Sequence, residues 1–161
     1  VERAASGEPL SAIDLSQNRL TDVGLVKVCQ LMQGPALACG KLTYLNLAFN
    51  TALRLRRTGL LETLIWALQA LPSLTHLDLS GTPVNGHVAC SLASTLRTRS
   101  QLRVLALSSC GLGVVDQADC IAVASLLRPA SEEGQATLHV ADLSHNSFGC
   151  PGFAAIAAAM R

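Results

Sequence analysis

The chain has 161 residues and a formal net charge of +1; half of its residues are hydrophobic and 3% are aromatic. That length suits one domain burying roughly 70% of the surface its unfolded form exposes. The near-neutral balance argues against nucleic acid as a direct ligand held by bulk charge, and no run of about eighteen apolar residues offers a membrane span.

With so few aromatics, the core must be built from Leu, Ala and Val, which suits a repeated layer better than one irregular globule. One pattern recurs five times: an apolar residue, two free positions, an apolar residue, one free position, then Leu. Its copies are Leu10-Ile13-Leu15, Leu42-Leu45-Leu47, Leu74-Leu77-Leu79, Leu102-Leu105-Leu107 and Leu138-Ala141-Leu143. Three residues after the last Leu stand Asn18, Asn50, Thr82, Cys110 and Asn146. Alternation around the second and third apolar residues is strand-like, with those two facing one side. An Asn at the special position can hydrogen-bond the turn that leaves the strand, and stacked copies would satisfy one another as a ladder; Thr and Cys bond more weakly there.

Taken in chain order, each strand leads into a helix. In the first copy Leu20, Gly24 and Val28 recur in steps of four; in the third, Val84, Val88, Leu92 and Leu96; in the fifth, Phe148, Gly152, Ile156 and Met160. Such steps place the residues on one helix face, packed on the strand layer. The second copy predicts an amphipathic helix from Gly59 to Leu74, preceded by an insertion around Leu53–Thr58. The fourth has a small insertion near Val115–Asp119 and a polar return loop, Arg128–Thr137. The third copy, 28 residues long, is the minimal unit. Five repeats are expected, at about 10–41, 42–73, 74–101, 102–137 and 138–161, in one domain spanning 1–161.

Chemistry-bearing residues are few. Cys29, Cys39, Cys90, Cys110, Cys120 and Cys150 form no CxxC pair, so zinc-site spacing is lacking. They read as free, buried thiols in a reducing compartment, which places the chain inside the cell, in cytoplasm or nucleus. His76, Asp78 and Ser80 share a strand but have no nucleophile elbow. His139 and His145 lack metal-site spacing, and no nucleotide loop is present. No catalytic, metal or cofactor-binding residue is therefore assigned: the chain reads as not an enzyme, with no cofactor and no small-molecule substrate. Arg54, Arg56 and Arg57 cluster in the insertion of copy two, either as a solvated loop or as a contact for carboxylates or phosphates. Arg97, Arg99 and Arg103, around a later repeat junction, carry the same ambiguity.

The strings LSAIDLSQNRL, LTYLNLAFN, LTHLDLSGTPV, LRVLALSSCGL and LHVADLSHNSF resemble leucine-rich repeats. The helical second halves and the 28-residue minimal unit look like the ribonuclease-inhibitor-like class. The resemblance runs from about Leu10 to Arg161. It implies an α/β leucine-rich-repeat solenoid, a right-handed β-α superhelix with short parallel strands on the concave face and helices on the convex one. Irregular repeats of this kind occur in NOD-like receptors and in the Tonsoku-like DNA-repair scaffold, and nothing in the residues chooses between them. Neither end carries an atypical polar capping repeat, so the expectation is a piece of a larger protein, or a chain capped by a partner.

The resemblance implies a protein partner. Residues flanking the apolar strand positions would point into the hollow: Ala12, Tyr44, His76, Val104 and Val140 in one column, Asp14, Asn46, Asp78, Ala106 and Asp142 in the next. Gln17, Phe49, Gly81, Ser109 and His145 precede the Asn position. Tyr44, Asn46, Phe49, His76 and Asp78 are therefore the candidate partner-binding residues, since surface aromatics concentrate binding energy; Arg54, Arg56 and Arg57 are a second, adjacent group. The expected function is a protein-interaction module of a larger scaffold or receptor. The alternative is a structural subunit contacting its neighbours through ends, loops and convex helices.

Overall fold

The computed structural model describes residues 9–34, 39–97, 101–113, 117–127 and 138–159. Five strand–helix pairs follow one another: β1 (Ala12–Asp14) with α1 (Asp22–Gln33), β2 (Tyr44–Asn46) with α2 (Thr58–Gln69), β3 (His76–Asp78) with α3 (Gly86–Arg97), β4 (Val104–Ala106) with α4 (Gln117–Leu127), and β5 (Val140–Asp142) with α5 (Gly149–Ala159). A 3-10 turn, Cys39–Lys41, precedes β2. The strands form one parallel sheet in sequence order. Its register pairs Ile13 with Leu45, Leu45 with Leu77, Leu77 with Leu105, and Leu105 with Ala141. The repeat of the sequence and the register of the sheet are thus the same alignment, and the fold is the α/β solenoid that the repeats imply.

Three-residue strands have no stability of their own; stacking supplies it. Leu42, Leu45, Leu47, Leu74, Leu77, Leu79, Leu102, Leu105 and Leu107 are all buried between sheet and helices. The repeated Asn adds polar stitching. The Asn50 side-chain nitrogen donates to the carbonyls of Leu15 and Leu47, both at 2.9 Å, while its Oδ1 accepts from the amides of Asn18 (3.2 Å) and Leu20 (2.8 Å). Asn146 repeats the arrangement, donating to Leu107 (2.7 Å) and Leu143 (3.0 Å) and accepting from Cys110 (3.0 Å) and Leu112 (3.1 Å). Asn50 and Asn146 therefore each tie their own turn to the preceding one.

The two substituted positions behave differently from each other. Cys110 keeps two long bonds, from its thiol to the carbonyls of Leu79 (3.4 Å) and Ser108 (3.5 Å). Thr82 is fully buried and its hydroxyl has no partner among the described residues, so the ladder lapses there altogether instead of merely weakening. A second ladder was not legible as a motif: the Thr43 and Thr75 hydroxyls donate to the carbonyls of Ser11 (3.0 Å) and Thr43 (2.9 Å) at the strand entries.

The helix faces largely follow the steps of four. Val84, Val88, Leu92 and Leu96 are all buried, as are Phe148, Gly152 and Ile156; Met160 lies outside the described residues. In α1 the deepest residues are Leu25, Cys29 and Met32, one position beyond Gly24 and Val28, so that helix is rotated from the expected face. Helix α2 ends at Gln69, short of the expected Leu74, because Leu71 and Leu74 leave the helix to fill the core from the return turn. The insertion before α2 is no simple surface loop: Leu53 and Leu55 are buried. Residues 114–116 and the return loop at 128–137 fall outside the described residues.

The cysteines need a correction. Cys29, Cys110 and Cys120 are buried, but Cys90 and Cys150 are exposed thiols, because they fall on the outward faces of α3 and α5. The Cys39 side chain lies outside the description. Desolvation pushes the Cys29 thiol up to about 11 and, as the largest cause, the Cys110 thiol up to about 12.

Candidate functional site

The concave positions start from strand alternation. With Leu45 and Leu77 turned to the core, Tyr44, Asn46, His76 and Asp78 must face the other side. The register sets Tyr44 beside His76 and Asn46 beside Asp78. The Tyr44 and His76 rings lie 6.1 Å apart between centroids, tilted by 43°. Asn46 joins the group below them: its side-chain nitrogen lies 3.2 Å from the Tyr44 hydroxyl and 3.2 Å from Asp14 Oδ2. Asp14, Tyr44 and His76 therefore share one face over three strands, with Asn46, itself buried, bridging Asp14 and Tyr44. His76 Nδ1 lies 2.7 Å from the Thr75 hydroxyl, Asp78 Oδ1 accepts from the Ser80 backbone amide, and the Ser80 hydroxyl accepts from the Ser108 amide at 3.3 Å, so the three side chains are not bonded to one another.

The Asp column has a local task. Asp14, Asp78 and Asp142 each accept the amide two residues ahead, from Ser16 (2.9 Å), Ser80 (2.8 Å) and Ser144 (2.9 Å). Asn46 does the same for Ala48 at 2.9 Å. Hydrogen bonds from Ser16, chiefly its hydroxyl, hold the Asp14 carboxyl below its ordinary range; bonds from Ser144 do the same for Asp142.

Phe49 reaches the surface by an unusual route. The residue before the Asn position has positive φ in every repeat: Gln17 at 56°, Phe49 at 56°, Gly81 at 68°, Ser109 at 55° and His145 at 55°. The turn demands the left-handed region, which bulky side chains adopt at a cost. Phe49 occupies it with 49% of its surface exposed, its ring lying over Gly81, where any β-carbon would collide with it. Sequence reasoning found Phe49 but not this shared backbone, since the five residues have no side-chain property in common.

The arginines separate into two situations. Asp22, at the start of α1, accepts the Arg54 amide at 2.9 Å and pairs with the Arg57 guanidinium at 3.1 Å. Arg57 is thereby engaged in holding the insertion to the first repeat, while the Arg54 and Arg56 side chains are exposed. Arg103 is exposed at the entry to β4; Arg99 and the Arg97 side chain lie outside the described residues.

The convex side carries a feature that the sequence reading missed. Trp66, the one tryptophan, is 68% exposed on α2. It borders two grooves, about 430 Å³ lined by Gly59, Glu62, Thr63 and Ile65, and about 360 Å³ lined by Gln33, Gln69 and Ala70. An apolar ring on the outer face breaks the polar pattern of an amphipathic helix, which was the available signal. Among the described residues no three His, Cys, Asp or Glu side chains converge as a metal site, and no helix is long and apolar enough to cross a membrane.

Comparison with known proteins agrees with this architecture. The family described as Leucine Rich repeat matches residues 9–29. No curated protein matches the chain in sequence. Among solved structures, the chain is similar to a tropomodulin C-terminal domain from Caenorhabditis elegans, with TM-score 0.67 and 14% identity over 94% of this chain and 82% of that one. The five-copy pattern, the solenoid built on it and these two likenesses give the chain a leucine-rich-repeat fold.

Proposed function

We propose that the chain is a protein-interaction module of a larger scaffold or receptor, and that it binds its partner through the concave sheet face instead of acting by catalysis. Leucine-rich-repeat domains generally mediate protein–protein contacts. The observation that carries the reading is the Tyr44–His76 ring pair with the half-exposed Phe49 ring one turn away. Aromatic rings on a rigid sheet are the usual anchors of an interface. The free thiols support a reducing, intracellular setting, cytoplasmic or nuclear.

A second reading, a structural subunit held through convex helices, is favoured by exposed Trp66 and its two flanking grooves. Affinity capture with quantitative mass spectrometry separates the two. On the concave reading a Tyr44→Ala, Phe49→Ala double variant loses the captured protein, while Trp66→Ala and a charge reversal of Arg54 and Arg56 retain it. Loss on Trp66→Ala with retention by the aromatic variant supports the structural-subunit reading instead.

A further inference from the structure

Whatever binds the concave face meets a definite charge. Across its three columns stand the carboxylates of Asp14, Asp78 and Asp142 and neither a lysine nor an arginine, although the whole chain has a formal charge of +1. The lysine and arginines that flank the strands and turns in sequence are Lys41 and Arg103 before β2 and β4, and Arg19, Arg54, Arg56 and Arg57 after the turns, Arg57 already paired with Asp22.

The turns do not require this charge. Asn46 fills the same column and caps Ala48 with an amide oxygen as the Asp residues cap theirs, and in the repeat of Ala106 the Ser108 amide is capped by the neutral Ser80 hydroxyl instead, at 3.3 Å. Capping also uses only Oδ1 of each carboxylate. The second oxygen of Asp14 accepts from Asn46, and those of Asp78 and Asp142 have no partner among the described residues. On the same face of the sheet, two residues before Asn46 and Asp78, stand Tyr44 and His76, and the Asn46 side-chain nitrogen bridges the Tyr44 hydroxyl and Asp14 Oδ2. A π-face next to a carboxylate is suited to a guanidinium or an ammonium, which stacks on the one and hydrogen-bonds the other.

We propose that the concave face takes a basic segment of a partner protein, seating an arginine or lysine side chain against the Tyr44–His76 pair and the carboxylates of Asp14 and Asp78. The proposal rests on the concave-face reading above. The same sign of charge repels nucleic acid, whose phosphates need cations on the binding surface.

The test uses the intact chain and two probe peptides, one of arginine alternating with glycine, the other with glutamate in place of arginine. The basic peptide binds, more weakly as salt rises, and the acidic one does not. An Asp14→Asn, Asp78→Asn, Asp142→Asn variant keeps the caps, as Asn46 does, and therefore its melting temperature, yet loses about tenfold or more in affinity; Tyr44→Ala also weakens binding. If the two peptides bind alike and the asparagine variant binds as the parent does while Tyr44→Ala still weakens binding, the basic partner is refuted and the concave face stands. If neither variant changes binding, both fall; if the basic peptide does not bind, the proposal is overturned.

Discussion

The Phe49 ring rests on Gly81, the residue at the equivalent position of the next repeat, and fills the space that a side chain there would take. Both residues have left-handed backbone, at φ 56° and 68°. The bulky ring and the bare glycine are therefore one coupled feature of the concave rim.

Gly81→Ala should displace the Phe49 ring as well as strain its own backbone, at about 2–3 kcal/mol. In a Phe49→Asn background the collision is gone and only the strain remains, so the same substitution should cost less by about 1 kcal/mol. A denaturant double-mutant cycle reads that coupling; additive costs would show that the ring does not lie over Gly81.

The lapse at Thr82 makes a prediction of opposite sign from the ladder around it. Thr82→Val removes a buried hydroxyl that has no partner among the described residues while keeping shape, and should stabilise by about 1 kcal/mol. Asn50→Ala should cost about 3 kcal/mol, because backbone groups of two repeats lose their partners. Asn18→Ala should cost less, since among the described residues the Asn18 side chain bonds only the Ser16 carbonyl of its own turn. Urea titrations of the three variants give the order directly.

Leu77 and Leu105 lie in the central layers, almost wholly buried. Replacing either by Ala should cost about 2–5 kcal/mol. A loss below about half a kcal/mol in a denaturant titration would contradict their place in the core.

How much of this was legible follows from which interactions are local to the repeat. Leu77, Leu105 and the alignment of Tyr44 with His76 were readable because one repeat length fixes both the strand register and the face of each side chain. The left-handed backbone at Phe49 was not, because the turn and not the residue type imposes it. The Asp22–Arg57 pair joins residues of different repeats across an insertion, and nothing in either segment announces the other. Leu53 and Leu55 read as an insertion in the pattern, yet the space under that longer turn has to be filled, and they fill it.

The thiols give a chemical check. Cys90 and Cys150 should react quickly with an aromatic disulfide reagent at neutral pH, and Cys29 and Cys110 only on unfolding. The buried pair hold their protons up to about 11 and about 12, against 9.0 for a free thiol. Below 9 both states are protonated and nothing changes. Above it the unfolded chain ionises first, so stability should fall from about pH 9 upward and go on falling to about 12. A reducing agent should leave the melting temperature unchanged; a drop of many degrees would reveal a structural disulfide.

Partner binding through the concave face is tested most directly by hydroxyl-radical footprinting of the chain with and without its captured partner. Tyr44, Phe49, His76 and Trp66 are all reactive reporters, and one experiment reads the two faces together. Binding at the concave face should suppress oxidation of Tyr44, Phe49 and His76 and leave Trp66 on α2 as reactive as before. Protection of Trp66 with undiminished oxidation of the three concave residues would contradict it.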